Sequence, residues 1–306
     1  MELHFADTLL EAIAEKGSPV CVGLDPVWEK LPEELRKPVE SEVEQTEAIG
    51  EFCAQVLQIV APIVPAVKIQ SAYFERYGSV GVDVYETLID YAQDLDLLVI
   101  GDVKRNDIGS TAAAYAQGHL LGLASPYGTA GHLADAITVN GYFGADGLQP
   151  FVDVASEEGK GVFVLVRTSN PSAKTIQDFA DASGKKFFEH LAEQVAAIGE
   201  GEDMVGERGY SCVGAVVGAT YPDEARKLRA IMPRQLFLVP GYGAQGATAA
   251  DCAAAFKPDG SGAIVNASRS VIFAYADKKY AGMDWKKAID QAAREFAADI
   301  RQAIAK

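Results

Sequence analysis

Residues 97–109 of the chain, LLVIGDVKRNDIG, contain the pattern around which the rest of the sequence is organised. The apolar run at its start predicts a buried β-strand, and the alanine-rich segment that follows it predicts a helix. Because side chains alternate along a strand, Asp102 and Lys104 are expected to point to the same face at the strand's carboxyl end. With Asp107 nearby, two acids and a lysine are crowded together, which indicates either a solvated turn or a charged site that does chemistry.

Apolar, β-branched runs of this kind recur along the chain and predict eight strands. Their hydrophobicity is nearly continuous, which is typical of parallel strands covered by helices. The predicted strands span residues 19–24, 63–70, 97–104, 136–140, 161–169, 213–219, 236–240 and 263–266. Predicted helices span residues 41–60, 81–95, 110–121, 185–198, 222–232, 247–256 and 285–305.

Eight β-then-α units in 306 residues favour an α/β fold of the (β/α)8 TIM-barrel class. A doubly wound open sheet is the alternative, because the number of strands alone does not prove that the sheet closes. The two longest connections lack the composition of an interdomain linker, so we predict a single domain over residues 1–306.

The composition is that of a globular protein, with 49% apolar and 23% charged residues. A formal net charge of −16 argues against nucleic acid or an anionic membrane surface as the main partner. No apolar run approaches the length of a membrane span, and the N-terminus lacks the basic start and apolar core of a signal peptide. We therefore expect a cytoplasmic protein.

The cysteines and histidines do not form metal-binding patterns. The four cysteines are far apart without a Cys-x-x-Cys pair, which predicts buried core residues rather than disulfides or zinc ligands: Cys21, Cys53, Cys212 and Cys252. The four histidines show no ligand spacing, so a metal site built on them is not expected.

Polar side chains recur where the predicted strands end, and in a TIM barrel those carboxyl ends form the active site. Lys68 interrupts the apolar run of the second strand, where a lysine is rarely tolerated without a carboxylate partner. Asp102 on the next strand is the expected partner. The candidate site residues from this argument are Asp25, Lys68, Asp102, Lys104, Ser169 and Arg269.

Residues 240–246, PGYGAQG, satisfy the Gly-x-Gly-x-x-Gly fingerprint of dinucleotide-binding folds. Too little chain remains after Gly246 for a complete Rossmann domain, however. In (β/α)8 enzymes the loops after strands seven and eight bind phosphate through backbone N–H groups. We therefore predict a phosphate loop that includes Gly243 and Gly246, with Arg269 adding a charged fork.

Six short motifs in this order resemble the orotidine 5′-phosphate decarboxylase family, in particular its longer bacterial branch. The resemblance spans essentially the whole chain. The motifs are GLD at 23–25, VKIQ at 67–70, DVKRNDI at 102–108, RTSNP at 167–171, PGYGAQG at 240–246 and SRS at 268–270.

The resemblance implies a charge network that alternates lysine and aspartate. Lys68, Asp102, Lys104 and Asp107 match its four positions, and Lys104 would be the proton donor. Asp107 would reach into the neighbouring subunit's site across a homodimer. Gly109 departs from the pattern, because many shorter members have proline there, so the turn that carries Asp107 is expected to differ.

The resemblance also implies the substrate contacts. Asp25 and Lys68 would hold the ribose hydroxyls, together with Asp107 and Thr111 of the partner subunit. Ser169 would contact the pyrimidine. Gln245 and Arg269 would bind the phosphate.

The reaction implied is the conversion of orotidine 5′-phosphate to UMP and CO2, the last step of de novo UMP synthesis. Decarboxylases usually recruit an electron-sink cofactor, but no motif for one is evident, so none is expected and electrostatics would stabilise the C6 carbanion. Two alternatives remain open from the residues. One is a metal-dependent sugar-phosphate decarboxylase or aldolase on the same scaffold, and the other is a non-catalytic module that binds a nucleotide phosphate.

Overall fold

The computed structural model describes residues 4–37, 39–121, 133–244 and 246–305. Eight parallel strands form a closed barrel in which each strand pairs with its neighbours in chain order. The predicted (β/α)8 barrel is confirmed, and the open-sheet alternative is wrong because the first and eighth strands pair directly. The strands are β1 Val20–Leu24, β2 Ala66–Gln70, β3 Leu98–Arg105, β4 Ala136–Val139, β5 Gly161–Arg167, β6 Ser211–Val217, β7 Gln235–Pro240 and β8 Ala263–Ala267.

Helices follow the strands and cover the outside of the barrel. The helices are α1 Phe5–Lys16, α2 Glu33–Arg36, α3 Glu42–Val60, α4 Ala72–Glu75, α5 Gly78–Asp94, α6 Gly109–Ala116, α7 Ala145–Glu157, α8 Ala173–Gln177, α9 Phe187–Ile198, α10 Pro222–Ile231, α11 Ala249–Ala253, α12 Arg269–Ile272 and α13 Trp285–Ile304. A π-helical turn at Gln117–Leu121 extends α6.

Among the helices of more than five residues, α1 and α7 were not predicted from the sequence. Helix α7 contains Gly147 and Pro150, which disfavour a helix interior. It forms nevertheless because Phe151 and Val152 are buried in the core on one face. The predicted helix at 247–256 is shorter than expected, since the structure has only α11 there.

Helix α1 closes the amino-terminal end of the barrel. Its Phe5 ring meets the ring of Phe163 of β5 edge-on, with the centroids 5.8 Å apart. Phe5 and Leu9 belong to a buried apolar cluster with inward-facing residues of the strands, among them Ile100 and Phe163. Because apolar side chains fill this end, the polar interior positions lie at the carboxyl ends of the strands.

The remaining expectations about the core hold. All four cysteines are buried and free, as predicted. Within the residues that the structure describes, no helix is both long and apolar enough to cross a membrane.

Candidate active site

A cavity of about 430 Å³ opens at the carboxyl ends of the strands. Its lining comes from all eight strands or the loops that follow them. Of the predicted site residues it includes Asp25, Lys68, Asp102, Lys104, Ser169 and Arg269. Three apolar side chains of β5, β6 and β7 also line it: Leu165, Val216 and Leu238. The cavity thus combines an apolar wall with a group of charges.

Asp102 lies at the centre of these charges. Its Oδ1 accepts hydrogen bonds from Lys104 Nζ (2.5 Å) and Thr138 Oγ1 (2.8 Å). Its Oδ2 accepts from Lys68 Nζ (2.7 Å) and Gln70 Nε2 (2.8 Å). A carboxylate has about four lone-pair sites, so that of Asp102 is saturated. The predicted pairing of Lys68 with Asp102 is confirmed.

Burial and neighbouring charges shift the pKa values of Asp102 and Lys68 in opposite directions. Burial alone would raise the pKa of Asp102, but the attraction of Lys68 and Lys104 outweighs it and holds that pKa well below the usual range. Burial alone would lower the pKa of Lys68, but Asp102 and then Asp25 outweigh it and raise that pKa above the ordinary value. The pair is therefore ionised at neutral pH.

Lys104 differs from Lys68 in its exposure and its backbone. Its side chain is 46% exposed, whereas that of Lys68 is 8% exposed. Its φ of 46° lies in the left-handed region, which is uncommon for a residue other than glycine. The ammonium of Lys104 is thus fixed to Asp102 at one point and faces the open cavity elsewhere.

Asp25 completes the group of charges on the side of β1. Its Oδ1 lies 3.6 Å from Lys68 Nζ, so the ammonium lies between two carboxylates. The described residues include no group of three His, Cys, Asp or Glu side chains that could hold a metal ion.

Three polar residues of the strands line the cavity, and sequence reasoning did not select them as site residues. Gln70 and Thr138 bind Asp102, and Asn266 of β8 is buried with its Oδ1 lacking a hydrogen-bond donor among the described residues. Thr138 and Asn266 interrupt apolar strands, which is the signal that identified Lys68, and Gln70 ends one. Neutral polar side chains are common in strands, however, so the signal is weaker.

Asp107 and Thr111 do not line the cavity of their own chain. Asp107 lies in the loop before α6, where its Oδ1 accepts the backbone N–H of Ile108 at 2.9 Å. Thr111 is exposed on α6. Gly109 has a φ of 53°, which proline cannot adopt, so this turn differs from one built on proline, as expected.

The loop after β7 has the conformation expected of a glycine-rich turn. Gly243 and Gly246 have φ values of 68° and 91°. Gly241, Tyr242 and Ala244 line the cavity, whereas Gly243 faces a neighbouring groove of about 1520 Å³. The lining of neither space includes Gly246.

Arg269 begins α12 and lines both the cavity and the groove. Gln245, the other predicted phosphate ligand, lies outside the described residues. The dinucleotide interpretation of this loop is wrong, because the loop joins two adjacent strands of a closed barrel.

A second buried charge network, which we call the Arg167 network, lies at the same end of the barrel. Arg167 is fully buried, and its guanidinium binds Glu224 (2.6 Å) and Asp178 (2.9 Å). The rings of Phe188 and Tyr221 lie over it, with centroids 4.9 and 4.6 Å away. Arg167 does not line the cavity, so this network has a structural role.

The Arg167 network touches the cavity at one loop. Gln177 Oε1 accepts from Arg167 Nη1 (3.3 Å) and from the backbone N–H of Thr168 (3.1 Å). Gln177 Nε2 donates to Thr168 Oγ1 at 2.8 Å. Since Thr168 and Ser169 both line the cavity, Gln177 anchors the loop that carries Ser169.

Comparison with known proteins agrees with the fold and the cavity. Residues 18–283 match the model of the orotidine 5′-phosphate decarboxylase / HUMPS family. A Rhodopirellula baltica protein named orotidine 5′-phosphate decarboxylase is 43% identical over 91% of both chains, and one of the same name from Caldicellulosiruptor bescii is 39% identical over 99% of both.

Among solved structures, the Leishmania donovani OMP decarboxylase superposes with a TM-score of 0.75 at 28% identity. The match covers 99% of this chain and all of that one. The chain therefore belongs to the orotidine 5′-phosphate decarboxylase / HUMPS family.

Proposed function

We propose that this protein is a carboxy-lyase that converts orotidine 5′-phosphate to UMP and CO2, the last step of de novo UMP synthesis. The observation that carries the proposal is the saturated Asp102 carboxylate, which holds two lysines at the wall of a 430 Å³ cavity. A protein that only bound a nucleotide phosphate would have no need of a buried Lys68–Asp102 pair that holds a second, half-exposed lysine at the cavity wall.

The reaction takes place at C6 of the pyrimidine. The bond from C6 to the carboxylate breaks, CO2 leaves, and the electron pair stays on C6 as a carbanion that the ring cannot delocalise. The Lys104 ammonium stabilises this developing charge and then donates a proton from Nζ to C6. Solvent returns a proton to Lys104, which is half-exposed.

Asp102 acts in this scheme by positioning the lysines. Its carboxylate already accepts four hydrogen bonds and its pKa is held low, so it is a poor proton acceptor. Each of its oxygens holds one lysine. Removing Asp102 would therefore free Lys104 to adopt many rotamers.

The remaining predicted residues bind the parts of the substrate that do not react. Arg269 and the loop after β7, including Gln245, Gly243 and Gly246, would hold the phosphate. Ser169 would contact the pyrimidine. Asp25 and Lys68 would hold the ribose hydroxyls. Binding energy from the phosphate would then serve to orient the base against Lys104.

The proposal includes a homodimer in which Asp107 and Thr111 complete the partner's site. Their position outside their own cavity supports this role. Large apolar side chains are exposed on α6 and on the connections that precede α6 and α7, as expected of a surface that pairs: Ile108, Tyr115, Tyr142 and Phe143. The proposal also includes a cytoplasmic location, where four free thiols stay reduced.

A complementation assay tests the shared site. Lys104→Ala and Asp107→Ala are each expected to be inactive alone. Mixed, unfolded and refolded together, they should recover about a quarter of the wild-type rate, because half of the random dimers are hybrids with one complete site. Refolded hybrid dimers without activity would contradict the shared site.

The function itself is tested by mixing purified protein with orotidine 5′-phosphate, with and without EDTA, and following the loss of absorbance of the orotate chromophore. We expect fast loss that EDTA does not change, because the Lys68 ammonium lies between the two acids that a cation would need. Loss that EDTA abolishes, or no loss, would favour the metal-dependent sugar-phosphate enzymes. Substrate binding without turnover would favour a binding module.

A further inference from the structure

The pairing of β3 with β4 is interrupted at the reactive residues. Gly101 pairs with Ile137, and the next pair is Arg105 with Val139. Three residues of β3 therefore oppose one residue of β4, which is Thr138. This is a β-bulge, a feature that re-aims side chains and is common next to active sites.

The hydroxyl of Thr138 forms hydrogen bonds with two of the three bulged residues. It accepts the backbone N–H of Lys104 at 3.0 Å and donates to Asp102 Oδ1 at 2.8 Å. One hydroxyl can do both, since it has one hydrogen and two lone pairs. Thr138 is 1% exposed, so both of these hydrogen bonds are shielded from solvent.

The backbone of Lys104 needs such a restraint. Its left-handed φ of 46° is disfavoured for a residue with a Cβ and persists only where the surroundings fix it. The N–H bond to Thr138 fixes the backbone of Lys104, and the bond to Asp102 fixes the oxygen that receives its ammonium. Thr138 thus holds Lys104 at both ends.

We infer that Thr138 is a positioning residue of the decarboxylation, which sets the direction of the Lys104 ammonium through the bulge and through Asp102. The inference rests on the proposed function and adds to it a residue that touches neither the phosphate nor the ribose in that scheme. A purely structural interpretation of Thr138, as a β-branched residue that fills space, makes the opposite prediction for valine, which has nearly the same shape.

The test compares Thr138→Val, which keeps the shape, with Thr138→Ser, which keeps the hydroxyl. We expect kcat for orotidine 5′-phosphate to fall about 10- to 100-fold in Thr138→Val and to stay within about threefold of wild type in Thr138→Ser. KM and the Kd for UMP should change little in both, because the ligand contacts remain.

Thr46→Val is the matched control, since Thr46 is equally buried and donates its hydroxyl to Glu42 O at 2.8 Å in α3. It should lose some stability and no turnover. Thr138→Ala is a second hydroxyl-free variant if Thr138→Val does not fold, with the same expected fall in kcat.

Three outcomes would overturn the inference. The first is a kcat in the hydroxyl-free variants within about twofold of wild type. The second is a fall in Thr138→Ser as large as that in Thr138→Val, which would indicate packing. An inactive wild type, the third, would overturn the proposed function as well, so the two failures are distinguishable.

Discussion

Two networks of buried charges lie at the carboxyl end of this barrel, and they differ in what they face. The cavity network of Asp25, Lys68, Asp102 and Lys104 presents a half-exposed ammonium to an open space. The Arg167 network is enclosed by two acids and two aromatic rings. Each contains paired acids and bases, so buried ion pairs alone do not identify a catalytic site. A catalytic site is indicated instead by a charged group of such a network that still faces a cavity.

The two networks are joined only through a loop in the part of the chain that the structure describes. Gln177 binds Arg167 on one side and Thr168 on the other. Changes in the cavity network should therefore affect turnover first, and changes in the Arg167 network should affect stability first. The variants below test that difference.

Asp102→Ala is expected to have the largest combined effect. It frees the Lys104 ammonium and leaves Lys68 buried with only the more distant Asp25. Turnover should fall by more than about 10³-fold, as when a major electrostatic group is lost. The free energy of unfolding should fall by about 3–5 kcal/mol, as when one partner of a buried pair is removed.

The measurement for this variant is kcat together with urea unfolding, with Asp102→Asn as the variant that keeps the size but not the charge. Asp102→Asn should also lose most activity. Near-wild-type turnover in either variant would show that the lysines do not need this anchor.

Arg167→Met should lower stability more than activity. It leaves Asp178 and Glu224 with only the longer contacts to Lys186 Nζ, at 3.5 and 3.8 Å. Both acids are only partly exposed, so we expect a loss of about 3 kcal/mol in the free energy of unfolding. Turnover per folded molecule should stay within about tenfold of wild type, the change that 1.4 kcal/mol gives.

The matched control is Arg294→Met, because Arg294 forms an exposed pair with Asp290 on α13. It should change the free energy of unfolding by less than about 0.5 kcal/mol. An Arg167→Met enzyme that is stable but inactive would reverse the roles given to the two networks.

Gln177→Leu tests the residue that joins the Arg167 network to the cavity loop. It removes the bonds that anchor Thr168 beside Ser169, and a neutral hydrogen bond contributes about 1 kcal/mol. We expect KM for orotidine 5′-phosphate to rise about fivefold with little change in kcat. A kcat that falls while KM is constant would place this loop in the chemical step instead.

The smallest effect concerns pH. The lowered pKa of Asp102 stabilises the fold above its unfolded value of about 3.9, and this contribution is lost as pH falls through the folded value. The raised pKa of Lys68 stabilises the fold below about 10.4, and this is lost as pH rises further. The stability difference between wild type and the double variant Lys68→Met/Asp102→Asn, in which neither group titrates, should therefore be constant from about pH 5 to 9.

Urea unfolding of both proteins across that range measures this difference. A difference that shrinks between about pH 5 and 7 would indicate that Asp102 takes up a proton there.

Charged residues made much of the site predictable from sequence. Lys68 and Asp102 interrupt apolar strands, and because burying a charge is costly, each implies a partner. Thr138 and Gln70 gave no comparable signal, since a neutral polar residue in a strand has many explanations. The β-bulge depends on the pairing register between β3 and β4. The hydrophobic periodicity of a single strand carries no information about that register.

The enclosed network illustrates the other limit. Arg167 was noted only as part of a motif, and its partner Glu224 lies 57 residues further along the chain. Only the fold brings them together. The eight strands were predictable because each is a local apolar run, whereas α7 was not, because Gly147 and Pro150 oppose the helix that tertiary packing imposes.

The most direct test of the account is the turnover of Lys104→Ala, with UMP binding and thermal unfolding measured on the same sample. Lys37→Ala is the control, since Lys37 forms an exposed ion pair with Glu33. We predict a folded protein that binds UMP and does not decarboxylate orotidine 5′-phosphate, while the control is fully active. A Lys104→Ala enzyme that still converts the substrate would contradict the central claim that the ammonium held by Asp102 performs the chemistry.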